Sequence, residues 1–129
     1  VVFKYNKRGD FHECIGDSKT VFMPGEGLGK TNAIMGVTFG LEICLDHQIG
    51  ILHTGVGGGS LPDVHILVSD STDNKAMHKT ANYYYLHAST DSSVTGVWAA
   101  PSWSPATNAK LSDEDPADGG TIRYWKLKI

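Results

Sequence analysis

The stretch Phe39-Gly-Leu-Glu-Ile-Cys-Leu-Asp-His47 decides how this chain is interpreted. An apolar, β-prone run ends in Cys44, and the sequence turns polar directly after it. The pattern predicts a strand with the thiol at its C-terminal end, where folds built from strands and helices usually carry their chemistry. A lone cysteine on an apolar run is more often a small buried hydrophobic residue, so the motif needs support from the rest of the chain.

On both sides of this motif, the sequence pattern predicts many strands and few helices. Residues 64–69 form an almost continuous apolar run, typical of a strand covered on both faces. Residues 46–52 are expected to begin a short helix, and residues 74–86 to form a longer one after an N-cap in residues 70–73. Further strands are predicted over residues 1–5, 19–23, 33–44 (two pieces with a turn near Gly36), 93–100 and 121–129. We therefore predict a mixed α/β domain whose sheet covers its second face against another sheet or a partner chain.

Length and charge limit the classes of function. At 129 residues the chain is long enough for one domain with its own core. A net charge of −3, well mixed along the chain, gives no reason to expect nucleic acid or an anionic membrane as a partner. No apolar run approaches the ~18 residues that span a bilayer, and two cysteines make no disulfide framework, so we expect a reduced, cytoplasmic setting.

The chain begins inside an alternating strand and has no initiator Met. We therefore expect residues 1–129 to be a single domain that is truncated at its N-terminus.

Three features compete with a cysteine site. The stretch Pro24-Gly-Glu-Gly-Leu-Gly-Lys-Thr31 nearly matches a phosphate-binding loop, with Pro24 in place of the first glycine. The sequence after it is a poor helix, and such a loop must open one. The histidines show no pair at helical metal-ligand spacing with an acidic partner, and His65 is expected to be a buried imidazole with a hydrogen-bond partner. Glu42 is either a substitute catalytic acid or, as we expect, a structural carboxylate with satisfied hydrogen bonds.

Four segments together resemble the carbon–nitrogen hydrolase (nitrilase) superfamily, in order and in spacing: Tyr5-Asn-Lys-Arg8, Phe22-Met-Pro-Gly25, Val37 to Asp46, and Pro62 to Ser69. The resemblance covers nearly all of this chain but only about the C-terminal half of a typical family domain. It implies a four-layer α-β-β-α sandwich that hydrolyses non-peptide carbon–nitrogen bonds, in amides or nitriles, through a cysteine thioester. It implies a homo-oligomer, and no metal or organic cofactor.

Residue by residue, the resemblance implies that Cys44 is the nucleophile and Lys7 the catalytic lysine, with Glu13 as an auxiliary acidic residue. The thiolate is the reactive form of cysteine, and Lys7 would favour it and stabilise the oxyanion together with the backbone N–H after the nucleophile. The candidate substrate-binding residues are Leu45, His47 and Ser69. We call the segment Tyr5-Asn-Lys-Arg8 the lysine motif. The family's general base is a glutamate upstream of this motif. It has no counterpart here, so we expect reduced turnover without it.

The lack of that glutamate leaves a second hypothesis open. The chain would then be a catalytically silent nitrilase-like domain that keeps the packing of the fold for binding or assembly. Cys44 and Lys7 favour the enzyme, because a silent domain needs neither group.

Overall fold

The computed structural model describes residues 4–9, 23–114 and 122–129. Its main feature is a five-stranded sheet in the order β1 (Phe39–Ile43), β2 (Val64–Ser69), β3 (Tyr84–Ser89), β4 (Gly96–Ala99) and β5 (Ser104–Pro105). The first three strands are parallel, and the last two continue the sheet in antiparallel fashion. A separate antiparallel pair consists of β6 (Lys110–Glu114) and β7 (Ile122–Trp125). The mixed α/β class is confirmed.

Two short helices form the crossover between β1 and β2. Helix α1 spans Leu45–Ile49 and α2 spans Ile51–Val56, with Gly50 between them at φ 70°. This left-handed conformation costs glycine nothing, and it lets the chain end one helix and start the next within one residue. The helix expected after Cys44 is thus present, in two pieces. Among the described residues no helix is long and apolar enough to cross a membrane.

The two faces of the sheet differ in chemistry. One face carries apolar rows across β1 to β4: Phe39, Val64, Tyr84 and Ala99, then Leu41, Ile66, Leu86 and Val97. The other face mixes polar and apolar side chains in the rows Gly40, His65, Tyr85 and Trp98, then Glu42, Leu67, His87 and Gly96. We call these the apolar face and the mixed face.

Helices α1 and α2 cover the mixed face. The His47 ring of α1 stacks on Tyr85, with ring centroids 5.4 Å apart. Leu52 of α2 is completely buried against β1, where a Cβ on Gly40 would lie 2.5 Å from a Leu52 methyl carbon. Gly40 therefore has to be glycine for α2 to approach the sheet this closely. Residues 29–31 pair along the free edge of β1 and shield it.

The predicted helix over residues 74–86 is wrong. Only residues 76–78 form a helical turn, of the 3₁₀ type, and the chain then runs extended into β3. Tyr85 is the reason, because its fully buried side chain fills the mixed face between His65 and Trp98. A strand position there outweighs the local preference for a helix. The strand predicted over residues 64–69 is confirmed with the same bounds, and the turn near Gly36 is present as well. Of the strands expected over residues 1–5 and 19–23, residues 1–3 and 19–22 lie outside the described residues.

Candidate functional site

Cys44 occupies a strained turn between β1 and α1. Its backbone has φ 51° and ψ −111°, a region that side-chain-bearing residues rarely adopt and that costs about 1–3 kcal/mol. Its N–H still donates to Val68 O at 2.9 Å, so the residue lies at the last pairing step between β1 and β2. The same kind of sharp strand-to-helix turn exposes the nucleophile of α/β-hydrolases. The two other described non-glycine residues with positive φ, Met35 and Trp103, lie in turns.

Cys44 lines a cavity of about 680 Å³. This volume is in the range that holds small molecules. Its walls come from the start of α1 and from the loop after β2: Cys44, Leu45, Gln48, Asp70, Ser71, Thr72 and Asp73. The carboxyl ends of β1 and β2 are neighbours in a parallel sheet, so the residues that follow each strand meet at one edge. The buried Thr72 hydroxyl donates a hydrogen bond to Cys44 Sγ at 3.1 Å.

Asp46, two residues after Cys44, fastens the lysine motif to α1. The side chain is completely buried, and Tyr5 Oη donates to its Oδ2 at 2.6 Å. The backbone N–H groups of Arg8 and Gly9 donate to the same carboxylate at 3.1 and 2.5 Å. Lys7 is half-buried within this segment, one residue from Arg8, and its carbonyl accepts a hydrogen bond from Gly25 N. Burial and the hydrogen bond to Asp46 raise the pKa of Tyr5, so its hydroxyl keeps the proton that it donates.

Glu42, two residues before Cys44, lies under the helices on the mixed face and is 1% exposed. Its Oε2 accepts a hydrogen bond from His47 Nδ1 at 2.8 Å and lies 2.9 Å from His65 Nε2. Its Oε1 accepts the Leu52 N–H at 2.7 Å, at the start of α2. Burial alone would raise the pKa of Glu42, but its interactions with the two imidazoles and with the Leu52 N–H outweigh burial and bring the pKa to about 2. The carboxylate is therefore ionised, and the expectation of a satisfied structural role is confirmed.

The group of Glu42, His47 and His65 has ligand types that bind metals, with ligand atoms all within 4.8 Å of one another. The hydrogen bonding of His65 argues against a metal at this group. Its Nδ1 accepts the backbone N–H of Thr80 at 3.1 Å, so its proton is on Nε2, the atom that faces Glu42. His65 Nε2 makes no hydrogen bond among the described residues, so its attraction to Glu42 Oε2 across 2.9 Å is electrostatic. Burial lowers the pKa of His65, which keeps the ring neutral.

The sequence order Glu42, Cys44, His47 resembles a catalytic acid–nucleophile–base set, but the geometry is different. His47 is fully buried, and its Nδ1 is taken by Glu42. Its Nε2 has no hydrogen-bond partner among the described residues, so it makes no hydrogen bond to the Cys44 sulfur. His47 and Cys44 therefore do not form a nucleophile–base pair in this conformation.

The other candidate residues from the sequence lie in different surroundings. Leu45 lines the cavity directly beside Cys44, whereas Lys7, His47 and Ser69 are not among its lining residues. Ser69 is buried, with its hydroxyl 2.7 Å from His87 Nε2 on the mixed face. Glu13, like Cys14, lies outside the described residues.

Sequence reasoning missed the cavity wall formed by residues 70–73 and the role of Asp46. A signal for the first existed, because Asp70 to Asp73 directly follow β2 as Cys44 follows β1. The partners of Asp46 come from 37 to 41 positions upstream, and nothing in the local pattern indicates them.

Comparison of the chain with protein-family models, with curated proteins and with solved structures finds no match.

Proposed function

We propose that this chain is a nitrilase-like domain that hydrolyses non-peptide carbon–nitrogen bonds of small amides or nitriles through a thioester at Cys44. The observation that carries the proposal is the strained backbone of Cys44 at the end of β1, where the residue lines a cavity of about 680 Å³. Strain of this kind persists where the surrounding structure holds a residue in a functional geometry. A purely structural cysteine would need neither the strain nor the cavity.

The chemistry follows from the groups at this edge of the sheet. With an amide, the Cys44 thiolate attacks the carbonyl carbon, a C–S bond forms, and the oxygen takes up the π electrons as an oxyanion. The oxyanion collapses and the C–N bond breaks, and the amine leaves with the proton that the Cys44 thiol released. Water then hydrolyses the thioester to the carboxylic acid and restores the thiol. The backbone N–H of Leu45, the first residue of α1, is the proposed oxyanion donor.

Lys7 is the proposed cation of the site. Support comes from Asp46, which binds residues on both sides of Lys7 and thereby fixes the lysine motif against the helix that Cys44 begins. Asp46 is only two positions after Cys44, so this attachment belongs to the same turn as the proposed nucleophile. An ammonium group near the reacting carbon would stabilise the oxyanion, and such a contact is typically worth about 10²–10³ in rate.

The wider fold and setting belong to the same proposal. The apolar face carries two complete rows of apolar side chains, as expected if a second sheet packs there in an α-β-β-α sandwich. We further propose a reduced, cytoplasmic setting, since a thiol nucleophile must stay reduced, and a homo-oligomeric assembly.

The test is acylation of Cys44, the step that precedes hydrolysis of the thioester. The chain is incubated with an activated aryl ester and then with simple amides and nitriles, and adducts are located by peptide mass spectrometry. We expect one acyl group per chain, on Cys44, released by hydroxylamine. Cys44→Ala should abolish the adduct, and Cys14→Ala should leave it unchanged.

The lysine is tested with a matched pair from the same segment. Lys7→Met should slow acylation by about 10²-fold or more, whereas Lys4→Met, at an exposed position three residues earlier, should have little effect. An adduct on Cys14, or equal rates in the two lysine variants, would support the catalytically silent domain instead.

A further inference from the structure

We propose that Thr72 is a further catalytic residue, whose hydroxyl donates a hydrogen bond to the Cys44 sulfur and thereby favours the thiolate. The inference rests on the proposed function, because it concerns the nucleophile of that reaction. Thr72 Oγ1 lies 3.1 Å from Cys44 Sγ, and Thr72 is only 7% exposed. It also lines the same cavity as Cys44, so its hydroxyl touches the reacting atom at the place where a substrate would bind.

The direction of this hydrogen bond explains its effect. A thiolate has no proton and can only accept, whereas the threonine hydroxyl has one proton to donate. Hydrogen bonds to a charged acceptor are about twice as strong as those to a neutral one. The Thr72 bond therefore strengthens when Cys44 loses its proton, and the burial of Thr72 limits competition from water.

The charges around the cavity make a neutral donor useful. Asp70 and Asp73 line the same cavity, and their carboxylates oppose a further negative charge on the sulfur. The titratable groups on the described elements that meet at Cys44 are Glu42 on β1, His65 on β2, Asp46 and His47 on α1, Asp70 and Asp73 in the cavity wall after β2, and Tyr5, Lys7 and Arg8 in the segment held by Asp46. Thr72 adds stabilisation of the thiolate that is independent of the protonation of these groups.

The experiment measures the rate of alkylation of Cys44 as a function of pH. Iodoacetamide is the probe: the thiolate forms a C–S bond to its methylene carbon, and iodide leaves. All variants carry Cys14→Ser, so that Cys44 is the single thiol, and rates are followed from about pH 5 to about pH 10. Thr72→Val removes the hydroxyl at nearly constant shape, Thr72→Ala removes it without adding volume, and Thr72→Ser retains it.

We expect the midpoint of the pH–rate profile to rise by about 1–2 pH units in Thr72→Val and Thr72→Ala. Below the midpoint, alkylation should slow by about 3- to 15-fold, because the weaker acid gives a stronger nucleophile that offsets part of the loss. Thr72→Ser should keep the midpoint of the parent chain. A purely structural role would change the thermal midpoint of unfolding but not the pH midpoint of alkylation.

The proposal is overturned if the hydroxyl-free variant that retains the parent's circular dichroism alkylates with the parent's pH midpoint. It is also overturned if Thr72→Ser shifts the midpoint as far as Thr72→Val does. A shifted midpoint in a chain that forms no acyl adduct would support Thr72 while contradicting the proposed function. Acylation of Cys44 without a shift of the midpoint would support the proposed function and contradict the role of Thr72.

Discussion

Glu42 and Asp46 stand two residues before and two residues after Cys44, and both carboxylates are buried and multiply hydrogen-bonded. Their partners differ. Glu42 is surrounded by two imidazoles and by the N–H that opens α2, so it joins β1, β2 and both helices. Asp46 binds a tyrosine hydroxyl and two backbone N–H groups from residues 5–9, far upstream in the chain.

The difference separates two structural tasks on the two sides of Cys44. Glu42 acts within the β–α unit and holds the strained turn together, because its three contacts lie on the elements that meet at Cys44. Asp46 acts between units, because it brings a distant segment with Lys7 to the same turn. Stability should therefore depend mostly on the Glu42 side, and the placement of the lysine motif mostly on the Asp46 side.

The largest effect is expected for Glu42→Leu. It leaves the His47 and His65 N–H groups and the Leu52 N–H buried without an acceptor, so the free energy of unfolding should fall by about 3–5 kcal/mol. Urea unfolding followed by tryptophan fluorescence measures it. Glu26→Leu, at an exposed position, should change stability by less than about 0.5 kcal/mol. If the Glu42 variant were as stable as the Glu26 variant, Glu42 would not stabilise the turn at Cys44.

Loss of stability in acid should come from the region around Glu42, because the buried histidines lie on the same mixed face of the sheet. Burial, followed by electrostatic interactions with His47, Lys79 and His65, lowers the pKa of His87 to about 4. Below about pH 6.5 the unfolded chain binds a proton at this histidine and the folded chain does not, so the free energy of unfolding falls as pH drops from 6.5 towards 4, by up to about 3 kcal/mol. Urea unfolding from about pH 7.5 to about pH 4.5 tests this.

Two histidine variants make that measurement specific. His87→Gln should flatten the dependence of stability on pH, whereas His53→Gln, at an exposed site, should leave it unchanged. If both variants keep the slope of the parent, the buried histidine does not cause the acid sensitivity.

A smaller and more local loss is expected for Asp46→Asn. The amide has one acceptor oxygen in place of two and no charge, so the free energy of unfolding should fall by about 1–3 kcal/mol. Hydrogen exchange should accelerate at the amides of Arg8 and Gly9, which lose their acceptor, while β1 and β2 stay protected. Exchange that accelerates equally across the sheet would mean that Asp46 stabilises the whole domain and not one attachment.

The smallest effect is expected for Tyr5→Phe. Only one hydrogen bond to Asp46 is lost, and the two backbone N–H donors remain, so the change in free energy of unfolding should be about 1–2 kcal/mol. Tyr83→Phe, at an exposed tyrosine, is the control in the same urea assay. A loss as large as that of Asp46→Asn would make the hydroxyl, and not the backbone, the main attachment.

The sequence predicts the features of this architecture that depend on short local patterns. The apolar run of β2 and the cysteine at the end of β1 are visible as short patterns, and both are present in the structure. The helix predicted over residues 74–86 fails because Tyr85 is selected by its neighbours His65 and Trp98, which no local pattern contains. The partners of Glu42 and Asp46 are hidden for the same reason, since each carboxylate is satisfied by residues from other elements.

The backbone of Cys44 has a consequence for the balance between folding and function. Glycine would adopt φ 51° without strain, so Cys44→Gly should yield a more stable chain than either the parent or Cys44→Ala. A residue that folds less well than its simplest replacement indicates a trade-off in which stability is given up for the sulfur. That result would place the cost in stability at Cys44, between the two buried carboxylates.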